Sequence, residues 1–105
     1  MAIAENTPHR LVLKSGSTTL TFDRESAQAT LQRKLVFWKL RPAQTPFSEI
    51  TDVTGDMAVD RASGVEVWQT MLVMRTGEAW AFPATDKQDA ETNANAVREF
   101  LKLSA

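Results

Sequence analysis

A chain of 105 residues, 43% apolar and 24% charged, has the composition of one soluble globular domain with room for a single core. It contains no Cys, which removes disulfides and thiolate chemistry, and no run of 18 apolar residues, which removes a membrane-spanning helix. Its net charge of −1 is not that of a nucleic-acid binder, although the charge is uneven: residues 1–48 carry seven Lys/Arg against three Asp/Glu, and residues 49–105 carry five against ten. No basic segment followed by an apolar block marks the start, so no secretory leader is expected and a cytoplasmic location is the expectation.

Residues 1–9 show no periodicity and contain Pro8, so they are predicted as a loose arm before a single domain over 10–105. Arg10–Lys14 is a short apolar strand, and Ser15-Gly16-Ser17 a turn. Thr18–Asp23 alternates, with Leu20 and Phe22 on one face and Thr19, Thr21 and Asp23 on the other. Asp23-Arg24-Glu25-Ser26 reads as a polar connection. A strand resumes at Ala27, with Ala29 and Leu31 on one face. Val36, Trp38 and Leu40 then fall on the opposite parity, which predicts a bulge or corner at Arg33-Lys34.

Arg41–Pro46 is predicted as a loop and Phe47–Ile50 as a short helical turn. Val53, Met57 and Val59 alternate with Asp52, Asp56 and Asp60, a half-buried strand with a bulge considered at Gly55. Val65–Arg75 is apolar on both faces in its second half and reads as a central strand. Thr76-Gly77 is a tight turn. A two-residue turn puts Val73 opposite Trp80, whereas a glycine bulge at Gly77 shifts that register by one. Trp80 and Phe82 share a side of the returning strand.

Asp86–Leu103 is the only strong helix. Ala90, Ala94, Val97 and Leu101 form its stripe, with Phe100 at the stripe's edge. Thr85-Asp86-Lys87-Gln88 fits a capping box with Thr85 as cap. Small alanines and a mixed-charge outer face favour docking on a sheet over lying in a membrane surface. The fold class is therefore mainly β with one C-terminal α-helix.

Four stretches carry a further likeness: Leu20-x-Phe22-Asp23, Pro46-Phe47-Ser48-Glu49-Ile50-Thr51-Asp52-Val53, Leu72-x-Met74-x-x-Gly77 to Trp80-x-Phe82, and Val97-Arg98-Glu99-Phe100-Leu101. In this order the chain resembles the pleckstrin-homology-like (PH-like) fold, in particular its bacterial members, over about residues 10–103. The resemblance implies a bent, partly open barrel of six or seven antiparallel strands capped by the helix. It also implies a binding scaffold, oligomeric in some members. Lipid-binding members use basic residues around the loop between the first two strands. Here that loop offers only Arg10 and Lys14 beside Ser15-Gly16-Ser17, so phosphoinositide binding does not carry over.

Sites for chemistry are scarce. His9 is the single histidine and sits in the predicted arm, which is a poor place for a nucleophile–base pair. One His and no Cys leave too few ligands for zinc. Asp52, Asp56 and Asp60 recur every four residues, about 13 Å per step along a strand, too far apart to share one calcium or magnesium ion. Lys14-Ser15-Gly16-Ser17-Thr18 lacks the order of a phosphate loop. No catalytic residue, metal or cofactor is expected.

Two surfaces remain. Arg33, Lys34, Lys39 and Arg41 lie in an acid-free stretch, residues 26–48, with Phe37 and Trp38 between them; they are candidates for an anionic ligand, an anionic membrane surface or an acidic partner. Trp68, on the opposite parity from Val67 and Met71, is the candidate interface aromatic. The expected function is a small non-enzymatic module for contact with a protein partner or a second copy of itself, without nucleic acid; anionic-ligand or membrane-surface binding is the alternative.

Overall fold

The computed structural model describes residues 2–35, 38–39 and 43–102, without the side chains of 34, 35, 38 and 39. The described chain is mainly β: two antiparallel sheets and one C-terminal helix. The first sheet takes β1 (Ile3–Asn6), β2 (Arg10–Ser15), β3 (Thr18–Asp23) and β4 (Gln28–Leu35) in that order. On the far side of β4 lie β5 (Trp38–Lys39) and β6 (Ala43–Pro46). A 3-10 turn, Phe47–Glu49, leads into the second sheet of β7 (Ile50–Val59), β8 (Glu66–Met74) and β9 (Ala79–Ala84). Helix α1 runs over Lys87–Leu101. The two sheets do not pair with each other into a closed barrel among the described residues.

Alternation decides the first sheet. Leu11 and Leu13 on β2 stand opposite Phe22 and Leu20 on β3, and all four are fully buried. Phe22 and Leu20 in turn oppose Ala29 and Leu31 on β4. Polar Thr19, Thr21 and Asp23 take the other face, as period-2 patterning requires. The second sheet supplies Ile50, Val53, Leu72, Met74 and Phe82 to the same core.

Several expectations are corrected here. Residues 3–6 are not part of a loose arm: they form β1 against β2, and Lys14 N–H donates to Ala2 C=O at 2.8 Å. The parity slip marks a reversal after Leu35 rather than a bulge or corner at Arg33-Lys34, because β4 runs unbroken to Leu35, which pairs with Trp38 as Lys34 does with Lys39. Residues 43–46, predicted within a loop, pair with β4, Pro46 lying at the strand's end where its missing N–H costs no ladder bond. The irregularity in β7 falls between Ile50 and Asp52 instead of at Gly55. At the β8–β9 turn the shifted register is the one observed: Leu72 opposes Trp80, Val73 opposes Ala79, and Gly77 adopts φ 94°. That positive φ costs glycine nothing, which is how a three-residue hairpin with a bulge is made.

Helix α1 packs chiefly on β7 and β8 and touches β9 and β2. Its N-cap is Asp86 instead of Thr85. The Asp86 carboxylate accepts from Asp89 N–H at 2.8 Å, and the Asp89 carboxylate accepts from Thr85 N–H at 3.0 Å. The box is therefore Asp-x-x-Asp, displaced by one residue, and its two carboxylates also suit the helix dipole. The helix stops at Lys102, whose backbone takes the left-handed conformation at φ 58°; Leu103 lies outside the described residues. The buried stripe is Ala90, Asn93, Ala94, Val97 and Phe100, while Leu101 is half-buried. Phe100 and Leu101 thus exchange their expected places. The Phe100 ring meets Phe22 at 6.3 Å and Phe47 at 6.0 Å between centroids, joining the helix to the first sheet and to the 3-10 turn.

Candidate functional site

Two features of the surface stand apart from an ordinary solvated shell. The first is the far end of the β7–β8 hairpin. Trp68 opposite Ala84 is the last row that β9 completes, so the rows Ala58–Val67 and Val59–Glu66 have two strands only. Among the described residues the exposed large hydrophobics are Met57 (39%), Val59 (56%), Val65 (58%) and Val67 (41%), and every one lies on this hairpin end. Directly opposed residues share a face. Met57 and Val59 therefore lie with Trp68 on the face that continues the core, below Thr70 and Leu72. Val67 lies with Ala58 on the other face. The ribbon carries exposed apolar side chains on both faces, and these two rows have no third strand. Trp68 itself is half-buried, at the border between the core and this exposed end.

The outer edge of β7 is closed in a specific way. Asp60 N–H donates inward to Val65 C=O, so the amides at 53, 55, 57 and 59 point away from β8. Of these, Val53 N–H donates to the Asp52 carboxylate at 2.8 Å and Met57 N–H to the Asp56 carboxylate at 2.9 Å. Asp60 accepts from Ala62 N–H at 2.9 Å and holds the turn. The four-residue repeat of aspartates is explained by local backbone bonding. No group of three or more His, Cys, Asp or Glu converges among the described residues.

The second feature is one end of the first sheet. Ser15, Thr18 and Arg33 form one row across β2, β3 and β4; Lys14, Thr19 and Gln32 form the row beside it. One position beyond Arg33, Lys34 stands opposite Lys39. Arg33 and Lys14 are exposed. The backbone thus brings three of the four candidate cations, Arg33, Lys34 and Lys39, to one end, and adds Lys14; Arg41, like Phe37, lies outside the described residues. No Asp or Glu occurs in residues 6–22 or 26–48. The register thus places two lysine positions on one rung.

Concave surface is modest. A cleft of about 270 Å³ between β6 and the β8–β9 hairpin is lined by Gln44, Thr45, Glu49, Met74, Glu78 and Trp80. It holds carboxylates with no histidine beside them. His9 is exposed, and its carbonyl accepts from Arg24 N–H. The chain's sequence matches no family model and no curated protein, and no solved structure matches it.

The sequence reading missed the hairpin end as a patch because Val65 and Val67 look like any half-buried strand. The signal available was length: β7 and β8 are 10 and 9 residues long against 6 for β9, so their far end has no third strand to lie under it.

Proposed function

We propose that this chain is a non-enzymatic binding module on a PH-like scaffold, and that it works by protein contact through the end of the β7–β8 hairpin. One observation carries the reading: all the exposed large hydrophobics of the described chain sit together on that hairpin. Scattered surface apolars are normal, but a set gathered on one hairpin end marks an interaction site. The blocked amides at 53 and 57 favour a contact made by side-chain faces over strand addition. The order of strands, with a C-terminal helix on the second sheet, supports the PH-like scaffold. A photo-crosslinking residue at Val59 is expected to give discrete adducts in the cells that make the protein, and one at exposed Glu78 none; the absence of adducts from position 59 would end the proposal.

A second reading rests on Lys34 opposite Lys39: the cationic sheet end takes an anionic group. Co-sedimentation with vesicles containing phosphatidylserine, across a salt series, tests the membrane form of it. Salt-sensitive binding supports that form, and no binding at low salt removes it.

A further inference from the structure

The two surfaces answer each other in charge, and we infer that the hairpin end of one molecule seats on the cationic sheet end of a second copy of the same chain. This rests on the hairpin being a protein contact surface and names its occupant. Residues 56–69 carry Asp56, Asp60 and Glu66 against Arg61 alone. None of these four side chains forms an ion pair among the described residues, where the one such pair is Arg10–Asp23. Around the exposed valines and Met57 the hairpin is therefore rimmed by acids that form no ion pair. The sheet end is its complement: Lys14, Arg33, Lys34 and Lys39 stand at it, and residues 6–22 and 26–48 contain no acid.

A contact of hairpin on hairpin is the competing geometry. It would set Asp56, Asp60 and Glu66 against their own copies, and like charges brought together in an interface are penalised. An edge-to-edge continuation of β7 meets amides already occupied by Asp52 and Asp56. Hairpin on sheet end avoids both: acidic residues are set against a sheet end that holds lysine and arginine positions and no acid, while the valines leave water. Such a contact is heterologous. Each molecule keeps one free hairpin and one free sheet end, so association runs on past a dimer or closes into a ring.

Charge exchange on the full chain tests this, read by sedimentation equilibrium with circular dichroism to confirm folding. The mass of the natural protein is expected to rise with concentration at about 0.1 M salt. It should weaken about tenfold or more toward about 1 M, where the screening length falls from roughly 10 Å to roughly 3 Å. Asp60→Lys/Glu66→Lys and Lys34→Glu/Lys39→Glu are each expected to stay monomeric alone and to associate when mixed one to one. If the lysine variant does not fold, Arg33→Glu, at an exposed position, replaces it. A lysine variant that associates like the natural chain would show a hairpin-on-hairpin contact and overturn the inference. So would a mixture that stays monomeric. A natural chain that is monomeric at every concentration overturns it too, including one that binds phosphatidylserine vesicles instead. The crosslinker at Val59 separates the two levels. An adduct of twice the chain mass supports the second copy. An adduct of any other mass keeps the hairpin as a contact surface and removes the second copy, and no adduct removes both.

Discussion

At the scale of single residues, Asn93 is the strongest departure from an apolar core. It is fully buried in the stripe of α1, and neither its amide nitrogen nor its amide oxygen has a hydrogen-bond partner among the described residues. A buried polar group left unpaired costs about 1–3 kcal/mol. Leucine keeps the γ-branched shape and carries no polar atom. Asn93→Leu is therefore expected to raise the chemical denaturation midpoint at unchanged slope, by an equivalent of about 1–2 kcal/mol; a lowered midpoint would show that the amide is held. Gly55 acts in the opposite sense. A Cβ there would lie 3.2 Å from the Glu91 backbone nitrogen and 3.3 Å from the Ala90 carbonyl carbon, so the helix rests directly on the β7 backbone. Gly55→Ala should push α1 outward and cost about 1–3 kcal/mol, as overpacking does. The Thr70 hydroxyl, donating to Ala90 C=O at 2.9 Å, fixes the helix at that same level and leaves it little room to move.

At the scale of elements, the helix is held at both ends by different chemistry. Its first turn has the Asp86–Asp89 box. Its last turn has Arg24, which lies 4.2 Å from the Phe100 ring centroid, donates to Phe100 C=O at 2.8 Å and donates to Pro8 C=O at 2.7 Å. One guanidinium thus ties the helix end to the β1–β2 turn. Arg24→Ala is expected to cost about 1–3 kcal/mol and to speed amide exchange in Ile3–Asn6 before the rest of the sheet; uniform exchange would show that the clamp carries nothing local. Val97→Asp should unfold the domain, because the position is fully buried. Half-buried Leu101 should tolerate Asp with a smaller loss, and equal losses would contradict the exchanged places of Phe100 and Leu101. The strands with one buried face were legible in sequence, since alternation in Thr18–Asp23 states the face of each side chain. The helix stripe was legible to within one residue. What was not legible depended on contacts distant along the chain: β1 has no pattern of its own and exists because β2 offers it an edge. Arg24 looked like turn polarity until Pro8 and Phe100 came to either side of it. Of the candidate site, the cationic stretch was visible as composition, but only the Lys34–Lys39 register made it one end of a sheet.

At the scale of the whole molecule, the open question for any two-sheet protein is what becomes of its edges. An edge strand is a template for another chain, and β7 is ten residues long with an apolar end. The chain spends two aspartates there. Each folds its carboxylate onto the outward amide of the next residue, so two of the four outward donors between 53 and 59 are taken, and each also places a negative charge along the edge. This protection is compatible with association through the hairpin faces, which leaves the edge unpaired. It predicts that Asp52→Ala/Asp56→Ala changes the kind of assembly as well as its amount. The freed amides at Val53 and Met57 restore a continuous donor row beside Met57 and Val59, and the edge loses two charges that repel an identical strand. The double variant is expected to form thioflavin-positive aggregate under conditions where the natural protein stays clear, with new β-sheet infrared signal at a rate that rises with protein concentration. Asp52→Asn/Asp56→Asn separates the two contributions: an amide oxygen still accepts from the next N–H, so protection retained there assigns the effect to amide capping, and protection lost assigns it to charge. A double alanine variant that remains clear would show that the edge of β7 is guarded by something other than its aspartates.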